Sequence, residues 1–215
     1  MRRIRVEIGA ILMLLAMILS DGALLLGIYF LSAALHECGH LIAARALGIG
    51  IREVRFDFSG VRICTEDGIT SYGSELILAA AGPLVNLLAV SASVCFFYLR
   101  GVPSNMAVGA LMELLEGEFS FFGAVGFFAA SSVLQGGINL LPINTLDGGR
   151  MLFCVTALFF GEGAACAAIR ITSFAAAVIL WTVALYLLLR VSAGLGILVF
   201  SACVFASTVN WRNIK

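Results

Sequence analysis

Long apolar runs, separated by short polar segments, are the feature that most constrains what this chain can fold into. Several of them reach the roughly 20 residues that a helix needs to cross a bilayer core of about 30 Å. The 215 residues are 61% hydrophobic and only 12% charged, which excludes a water-soluble enzyme of ordinary composition. The formal net charge is zero, so we expect no nucleic-acid partner. The sequence predicts an all-α polytopic membrane protein.

The apolar runs predict about six transmembrane helices. A segment from Arg100 to Glu118, with Pro103 and three glutamates, interrupts them and predicts a loop. We divide the chain into three parts. Residues 1–22 hold the first helix and a turn at Ser20–Gly22, and residues 23–160 form a membrane core with the second to fourth spans. Residues 161–215 hold two further helices.

Two irregular segments fall within the membrane core. Residues 48–75 follow the second span, and their alternation of apolar and polar residues predicts a small β-hairpin at 52–64. The fourth apolar stretch runs from Phe119 to Phe160 and contains Pro142 and the pair Gly148-Gly149. It therefore predicts a broken fourth helix, with unwound backbone between Leu141 and Asp147.

The positions of arginine and lysine predict the orientation, because acidic residues contribute little to it. With six spans and the N-terminus inside, eleven of the 13 basic residues fall on the cytoplasmic side, and only Arg100 and Arg190 fall outside. We therefore predict a multi-pass protein of the cell membrane whose two termini and site opening face the cytoplasm.

The only two histidines of the chain form a pentad, His36-Glu37-Cys38-Gly39-His40, inside the second apolar run. Residues four apart lie on one face of a helix, so both imidazoles can bind one ion, and neutral imidazole suits Zn²⁺. Glu37 beside the first ligand can accept a proton from an attacking water. Ionisable groups inside an apolar span are costly and are usually functional, which favours a metal site over chance packing histidines.

A catalytic zinc needs a third protein ligand and an open position. Apart from Glu37, Asp147 is the one carboxylate in the apolar part of the chain that can serve, and it lies at the predicted break, toward the same side as the pentad. The alternative is that Asp147 only caps the helix that begins at Gly148.

Cys38 also has two interpretations, a small packing residue or an additional soft ligand of the metal. Adjacent side chains on a helix point about 100° apart, so Cys38 points away from the direction of its neighbours, which favours packing.

Three motifs follow one another in separate apolar runs: the pentad, the element Ala81-Gly82-Pro83 with Asn86, and N-x-x-P-x-x-x-x-D-G from Asn139 to Gly148. In this order they resemble the site-2 protease family of intramembrane zinc metalloproteases, over residues 23–160. The small size resembles the bacterial branch with the stage IV sporulation protease, which processes a sigma-factor precursor. The nucleotide-sensing domain that ends those enzymes is lacking here, so we expect no nucleotide control by that route.

The resemblance implies a zinc-dependent intramembrane metalloendopeptidase that cuts a peptide bond in or near a transmembrane segment. Zinc would be held by His36, His40 and Asp147, with Glu37 as general base and acid, while Asn139 and Asn86 would bind the substrate backbone or the oxyanion. The implied partners are a membrane-associated substrate, the lipid bilayer and a regulatory membrane protein.

Two further questions concern the use of these elements. The hairpin at 52–64 is either an ordinary surface element or a strand edge with which an extended substrate segment pairs. Unchanged cleavage after deletion of one strand, with zinc still bound, would refute the second interpretation.

The rival function is a non-catalytic membrane protein, either an inactive protease relative or an ion transporter with the same His/Asp site.

Overall fold

A computed structural model of the chain describes the backbone of residues 3–6, 8–57, 60–65, 71–191 and 201–202, and the side chains of residues 15, 24–50, 71–190 and 201–202. The described part is mainly helical. Its helices are α1 Ile8–Ala46, α2 Tyr72–Leu99, α3 Ser104–Leu115, α4 Phe121–Asn139, α5 Asp147–Phe160 and α6 Glu162–Val191, and its strands are β1 Arg3–Val6, β2 Ile51–Asp57 and β3 Gly60–Thr65.

Within the described residues, four helical segments are long and apolar enough to cross a membrane: Leu24–Ala46, Tyr72–Leu99, Phe121–Asn139 and Glu162–Arg190. Together they make the chain a multi-pass membrane protein. The first two predicted spans lie in one continuous helix, α1, so the structure does not separate them as predicted. The last predicted span, 192–208, lies outside the described residues apart from 201–202, and the total of six is not confirmed.

Helix α1 continues through Ser20–Gly22, so the turn predicted there is wrong. Three residues are too weak a signal to end a helix between two apolar runs, where backbone groups have no water to bond. A straight helix of these 39 residues would be about 57 Å long. Because β1 pairs with β2, the two ends of α1 are also joined by a short path through the paired residues Val6 and Phe56. Fully extended, the residues along this path span at most about 48 Å, so the ends of α1 lie no farther apart than that. Helix α1 is therefore bent.

The three strands form one sheet in the order β1-β2-β3. Strands β2 and β3 pair antiparallel, in the segment where the sequence predicts a hairpin, although the turn residues 58–59 lie outside the described part. Strand β1 pairs parallel with β2 on its other side, so β1 and β3 are the edges of the described sheet. The use of this sheet by a substrate stays a prediction.

Helix α3 replaces the loop predicted between Arg100 and Glu118. Of the three glutamates in this segment, Glu113 lies in the last turn of α3, and Glu116 and Glu118 follow the helix. The apolar side of α3 packs on glycines of α4. A Cβ on Gly123 would approach the Cβ of Leu114 to 3.0 Å, and one on Gly126 would approach the Cβ of Leu111 to 3.5 Å. Packing against the neighbouring helix thus outweighs the acidic composition that pointed to a loop.

The fourth span is broken where the sequence predicts it. Helix α4 ends at Asn139 and α5 begins at Asp147, and between them the backbone makes two short turns closed by the N–H groups of Ile143 and Leu146. The buried Ser173 of α6 accepts a bond from the N–H of Asn144 at 2.9 Å and lies 3.4 Å from the carbonyl of Pro142. This hydroxyl satisfies backbone groups that the break leaves without helical partners.

Helix α2 lies at the centre of the helical part, because it packs against α1, α4 and α5. Ser71 caps its first turn by accepting a bond from the N–H of Ser74 at 3.1 Å. Since α1 carries the histidine pentad and α5 begins at Asp147, this central helix meets both elements that the sequence identifies as candidate ligands.

Candidate metal centre

The pentad helix turns both histidines inward, as the spacing of four predicts. His36 is 1% exposed and His40 is 5% exposed, while Cys38 is exposed. Gly39 lies against α2, because a Cβ there would be 2.6 Å from the carbonyl oxygen of Ala81. The small residue inside the pentad thus lets α1 approach α2 closely. The exposure of Cys38 on another face argues against a role as a ligand of the buried histidine site.

Asp147 is the first residue of α5 and is 8% exposed. Leu146 occupies the N-cap position and makes no side-chain cap bond, so the interpretation of Asp147 as the cap is wrong. The pair Gly148-Gly149 allows this close fold, since a Cβ on either residue would overlap the carbonyl of Leu140 or of Ile143. The carboxylate is therefore held toward the pentad by the break itself.

Three ligand atoms from α1 and α5 form a small triangle. Oδ2 of Asp147 lies 3.1 Å from Nε2 of His36 and 3.2 Å from Nε2 of His40, and the two Nε2 atoms are 3.2 Å apart. In a tetrahedral zinc site with bonds of about 2.0–2.1 Å, neighbouring ligand atoms lie about 3.3 Å apart. The triangle therefore has the dimensions of one face of a zinc coordination tetrahedron.

Hydrogen bonds on the far side of each imidazole determine which nitrogen faces the triangle. Nδ1 of His40 lies 2.8 Å from the carbonyl oxygen of Leu78, which can only accept, so Nδ1 carries the proton. Nδ1 of His36 lies 3.1 Å from the carboxamide of Asn86, whose Oδ1 is buried and has no partner among the described residues. A half-turn of that carboxamide lets Oδ1 accept a hydrogen bond from Nδ1 of His36, which again puts the proton on Nδ1.

With both protons on Nδ1, each neutral Nε2 presents a lone pair to the triangle. Three acceptor atoms then converge on one buried point, an arrangement that a bound cation would stabilise. The donor set of two imidazoles and one carboxylate is the type that zinc uses in catalytic sites. The residues present therefore fit a zinc ion.

Gly82 keeps one side of the triangle open. A Cβ on this residue would lie 2.6 Å from Nε2 of His36 and still closer to Nε2 of His40. Any larger residue would occupy the space that a bound ion and its fourth ligand require. The Ala81-Gly82-Pro83 element thus has a steric reason to contain glycine at its centre.

The two asparagines differ in their surroundings. Asn139, at the end of α4, lies with Nδ2 3.2 Å from Nε2 of His36, at the border of the triangle. Asn86 is 2% exposed and touches His36 from behind, which favours an orienting role over the substrate contact that the resemblance implies. Glu37 is half-buried, and it forms with the two histidines a looser group whose ligand atoms lie within 4.8 Å of one another.

Comparison with known proteins addresses both the sequence and the fold. No protein-family model matches the chain. A zinc metalloprotease from Methanocaldococcus jannaschii is 27% identical over 145 residues, which are 65% of this chain and 36% of that protein. The solved structure of the site-2 protease from the same organism matches with a TM-score of 0.59 and 21% identity, over 99% of this chain and 91% of that one.

The chain has the site-2 protease fold. The resemblance indicated by the three motifs is confirmed at the level of overall architecture and of distant sequence similarity. The chain spans about a third of the length of the curated relative that it matches.

Within this site-2 protease fold, two contributors to the site are not evident from the motifs. The carbonyl of Leu78 is a backbone group, and the sequence carries no sign of it. Arg150, two residues after the end of the aspartate motif, lies beside Asp147, whereas the sequence pattern identifies it only as one of the basic residues of the cytoplasmic side. Its position three residues after Asp147 in a helix was the available signal.

Proposed function

We propose that the chain is an intramembrane zinc metalloprotease that hydrolyses a peptide bond in or near a transmembrane segment of a membrane-associated substrate. The observation that carries this proposal is the buried triangle of His36, His40 and Asp147, with edges of 3.1–3.2 Å. The similarity to a zinc metalloprotease supports it, as does the fold shared with a site-2 protease.

His36, His40 and Asp147 would hold the zinc ion through Nε2, Nε2 and Oδ2. When bound, zinc supplies Lewis acidity that polarises the scissile carbonyl and makes a water easier to deprotonate. Asn86 and the carbonyl of Leu78 fix the imidazole orientations through the two Nδ1 atoms. The site is thus prepared by the helices before the ion arrives.

Glu37 acts as the general base and acid. It follows the first histidine on α1, and its carboxylate is close enough to both imidazoles to reach a water beside the triangle. It accepts a proton from the attacking water and then donates that proton to the leaving amine nitrogen. Asn139, at the border of the triangle, donates a hydrogen bond from Nδ2 to the substrate carbonyl oxygen as negative charge develops there.

The substrate is a membrane-associated protein, because the proposed ligands lie in or between segments that can span the bilayer. A peptide bond within a helix is shielded by its own hydrogen bonds, so the substrate segment must become locally extended before it is cut. An edge of the β1-β2-β3 sheet is the proposed place for that extended segment.

We further propose that the site opens to the cytoplasm, in keeping with the distribution of basic residues. We also propose that a membrane partner regulates access of the substrate to the site.

The test uses the Glu37→Gln variant in the full chain, reconstituted with a membrane-anchored test substrate. We expect zinc content equal to that of the wild type and cleavage reduced by at least about 100-fold, since general acid–base catalysis contributes roughly 10²–10⁴-fold. Cys38→Ala is the matched control, because Cys38 is the next residue on the same helix and is exposed. That control should retain both zinc and cleavage.

The outcomes separate the two classes of function. Full cleavage by Glu37→Gln would contradict the role of Glu37. Stoichiometric zinc in the wild type without cleavage of any membrane-anchored substrate would favour the non-catalytic alternative, an inactive relative or a transporter. Absence of stoichiometric zinc from the purified wild type would contradict the metal site itself.

A further inference from the structure

A charged pair lies next to the metal triangle and connects α5 to α2. Arg150 is three residues after Asp147, and Glu75 is in the first turn of α2. Oε1 of Glu75 accepts a hydrogen bond from Nε of Arg150 at 2.6 Å and forms an ion pair with Nη2 at 2.5 Å. The side chains are 32% and 20% exposed, so water screens this pair only in part.

The same guanidinium also faces the candidate metal ligand. Nη1 of Arg150 lies 3.8 Å from Oδ1 of Asp147, whereas Oδ2 faces the two histidines. The two oxygens of this carboxylate are thus divided between a fixed cation and the imidazole pair. Because Oε1 of Glu75 contacts both Nε and Nη2, the guanidinium cannot turn far from Asp147 without lengthening one of these two contacts.

Asp147 needs such a constraint. The terminal torsion of an aspartate is broad, so the side chain alone does not fix the angle at which the carboxylate meets the histidines. Asp147 also sits at the first residue after an unwound segment, where no preceding helical turn restricts it. The neighbouring guanidinium of Arg150 favours one orientation of the carboxylate, which the backbone does not impose.

We propose that Arg150, fixed by Glu75, is a positioning residue that holds Oδ1 of Asp147 and so presents Oδ2 alone to the metal. This inference rests on the proposed function, because it needs the triangle to bind an ion. The competing explanation is that the pair only links α5 to α2 and has no influence on the ligand geometry.

Zinc affinity measured by competition with a chromophoric chelator provides the first test. Removal of a group that orients a metal ligand typically lowers affinity by about 10–100-fold, and we expect that loss in Arg150→Gln. Arg150→Lys retains the cation and should recover most of the affinity. Arg170→Gln is the matched control, since Arg170 is an exposed arginine of α6, and it should bind zinc as the wild type does.

A charge exchange distinguishes positioning from mere linkage. The double variant Glu75→Arg with Arg150→Glu restores an ion pair between the two helices but places a carboxylate beside Asp147. If Arg150 positions Asp147, the exchange leaves zinc affinity as low as in Arg150→Gln. If the pair is only a link between helices, the exchange restores the affinity and overturns the proposal.

The visible spectrum of the cobalt-substituted protein gives a readout independent of affinity. With Oδ1 released, both carboxylate oxygens can bind, so Arg150→Gln should show the weaker absorption of a higher coordination number. Wild-type affinity together with a wild-type cobalt spectrum in Arg150→Gln would refute the inference while leaving the proposed function intact. If that variant does not fold, Glu75→Gln decides in the same way, with a smaller loss of affinity expected and an unchanged affinity and spectrum refuting the inference. Failure of the wild type to bind zinc would refute the proposed function and the inference with it.

Discussion

Replacement of Gly82 by alanine is the sharpest steric test of the metal centre. The added Cβ would lie 2.6 Å from Nε2 of His36, whereas ordinary van der Waals contact begins at 3.4 Å. The imidazole would have to move by about 0.8 Å, and that of His40 by more. Zinc–ligand distances vary by only about 0.2 Å around their usual values, so a displacement of this size removes at least one nitrogen from the ligand set.

We expect Gly82→Ala to lower zinc affinity by at least about 100-fold, the upper end of the loss caused by changes outside the ligands themselves. Overpacking against two constrained rings should also destabilise the protein by about 1–3 kcal/mol. Isothermal competition with a chelator measures the first effect, and unfolding in mixed micelles measures the second.

Gly137→Ala is the matched control, because Gly137 is also a glycine in an apolar helix and a Cβ there would meet nothing within 4 Å. Alanine favours helix over glycine, so this control should be neutral or slightly more stable. Wild-type zinc affinity in Gly82→Ala would refute the assignment of the triangle as the metal site, since no ion could then be bound in the space that the methyl group fills.

Two further predictions concern groups that support the site from behind. Asn86→Leu should lower zinc affinity by about 10–100-fold by leaving Nδ1 of His36 without an acceptor, and an affinity within threefold of the wild type would contradict the orienting role. Ser173→Ala should cost about 1–3 kcal/mol of unfolding free energy, because it leaves the partly buried N–H of Asn144 without its partner. Thr182→Ala loses only a bond to the carbonyl of Val178 in its own exposed turn and should cost less. Equal losses in those two variants would show that the break does not depend on Ser173.

The sequence predicts those parts of the site that depend on local spacing. His36 and His40 share a helix face because they are four residues apart, and the structure places them there. Asp147 could be found because a carboxylate in an apolar stretch, beside a proline and two glycines, is rare enough to stand out. The break between α4 and α5 followed from the same residues.

Features that depend on contacts between distant segments could not be predicted in this way. The parallel pairing of β1 with β2 joins residues about 50 positions apart, and nothing in either strand specifies the other. Helix α3 was missed because its packing on the glycines of α4 outweighs three acidic residues. Ser173 stabilises a break that lies about 30 residues earlier in the chain, and the sequence around it reads only as one more apolar helix.

Helix α2 explains why these separate parts meet at one point. Glu75, Leu78, Gly82 and Asn86 follow one another at intervals of three, four and four residues, so they line a single face of α2 over about 17 Å. In order along that face, Glu75 holds Arg150 and the carbonyl of Leu78 accepts a hydrogen bond from Nδ1 of His40. Gly82 then leaves the space beside the triangle open, and Asn86 contacts His36. Neither α1 nor α5 alone determines where its ligands point. A change in the register of α2 by one residue would rotate this face by about 100° and displace all four residues at once, so the candidate metal centre depends on how α2 packs as much as on the ligands themselves.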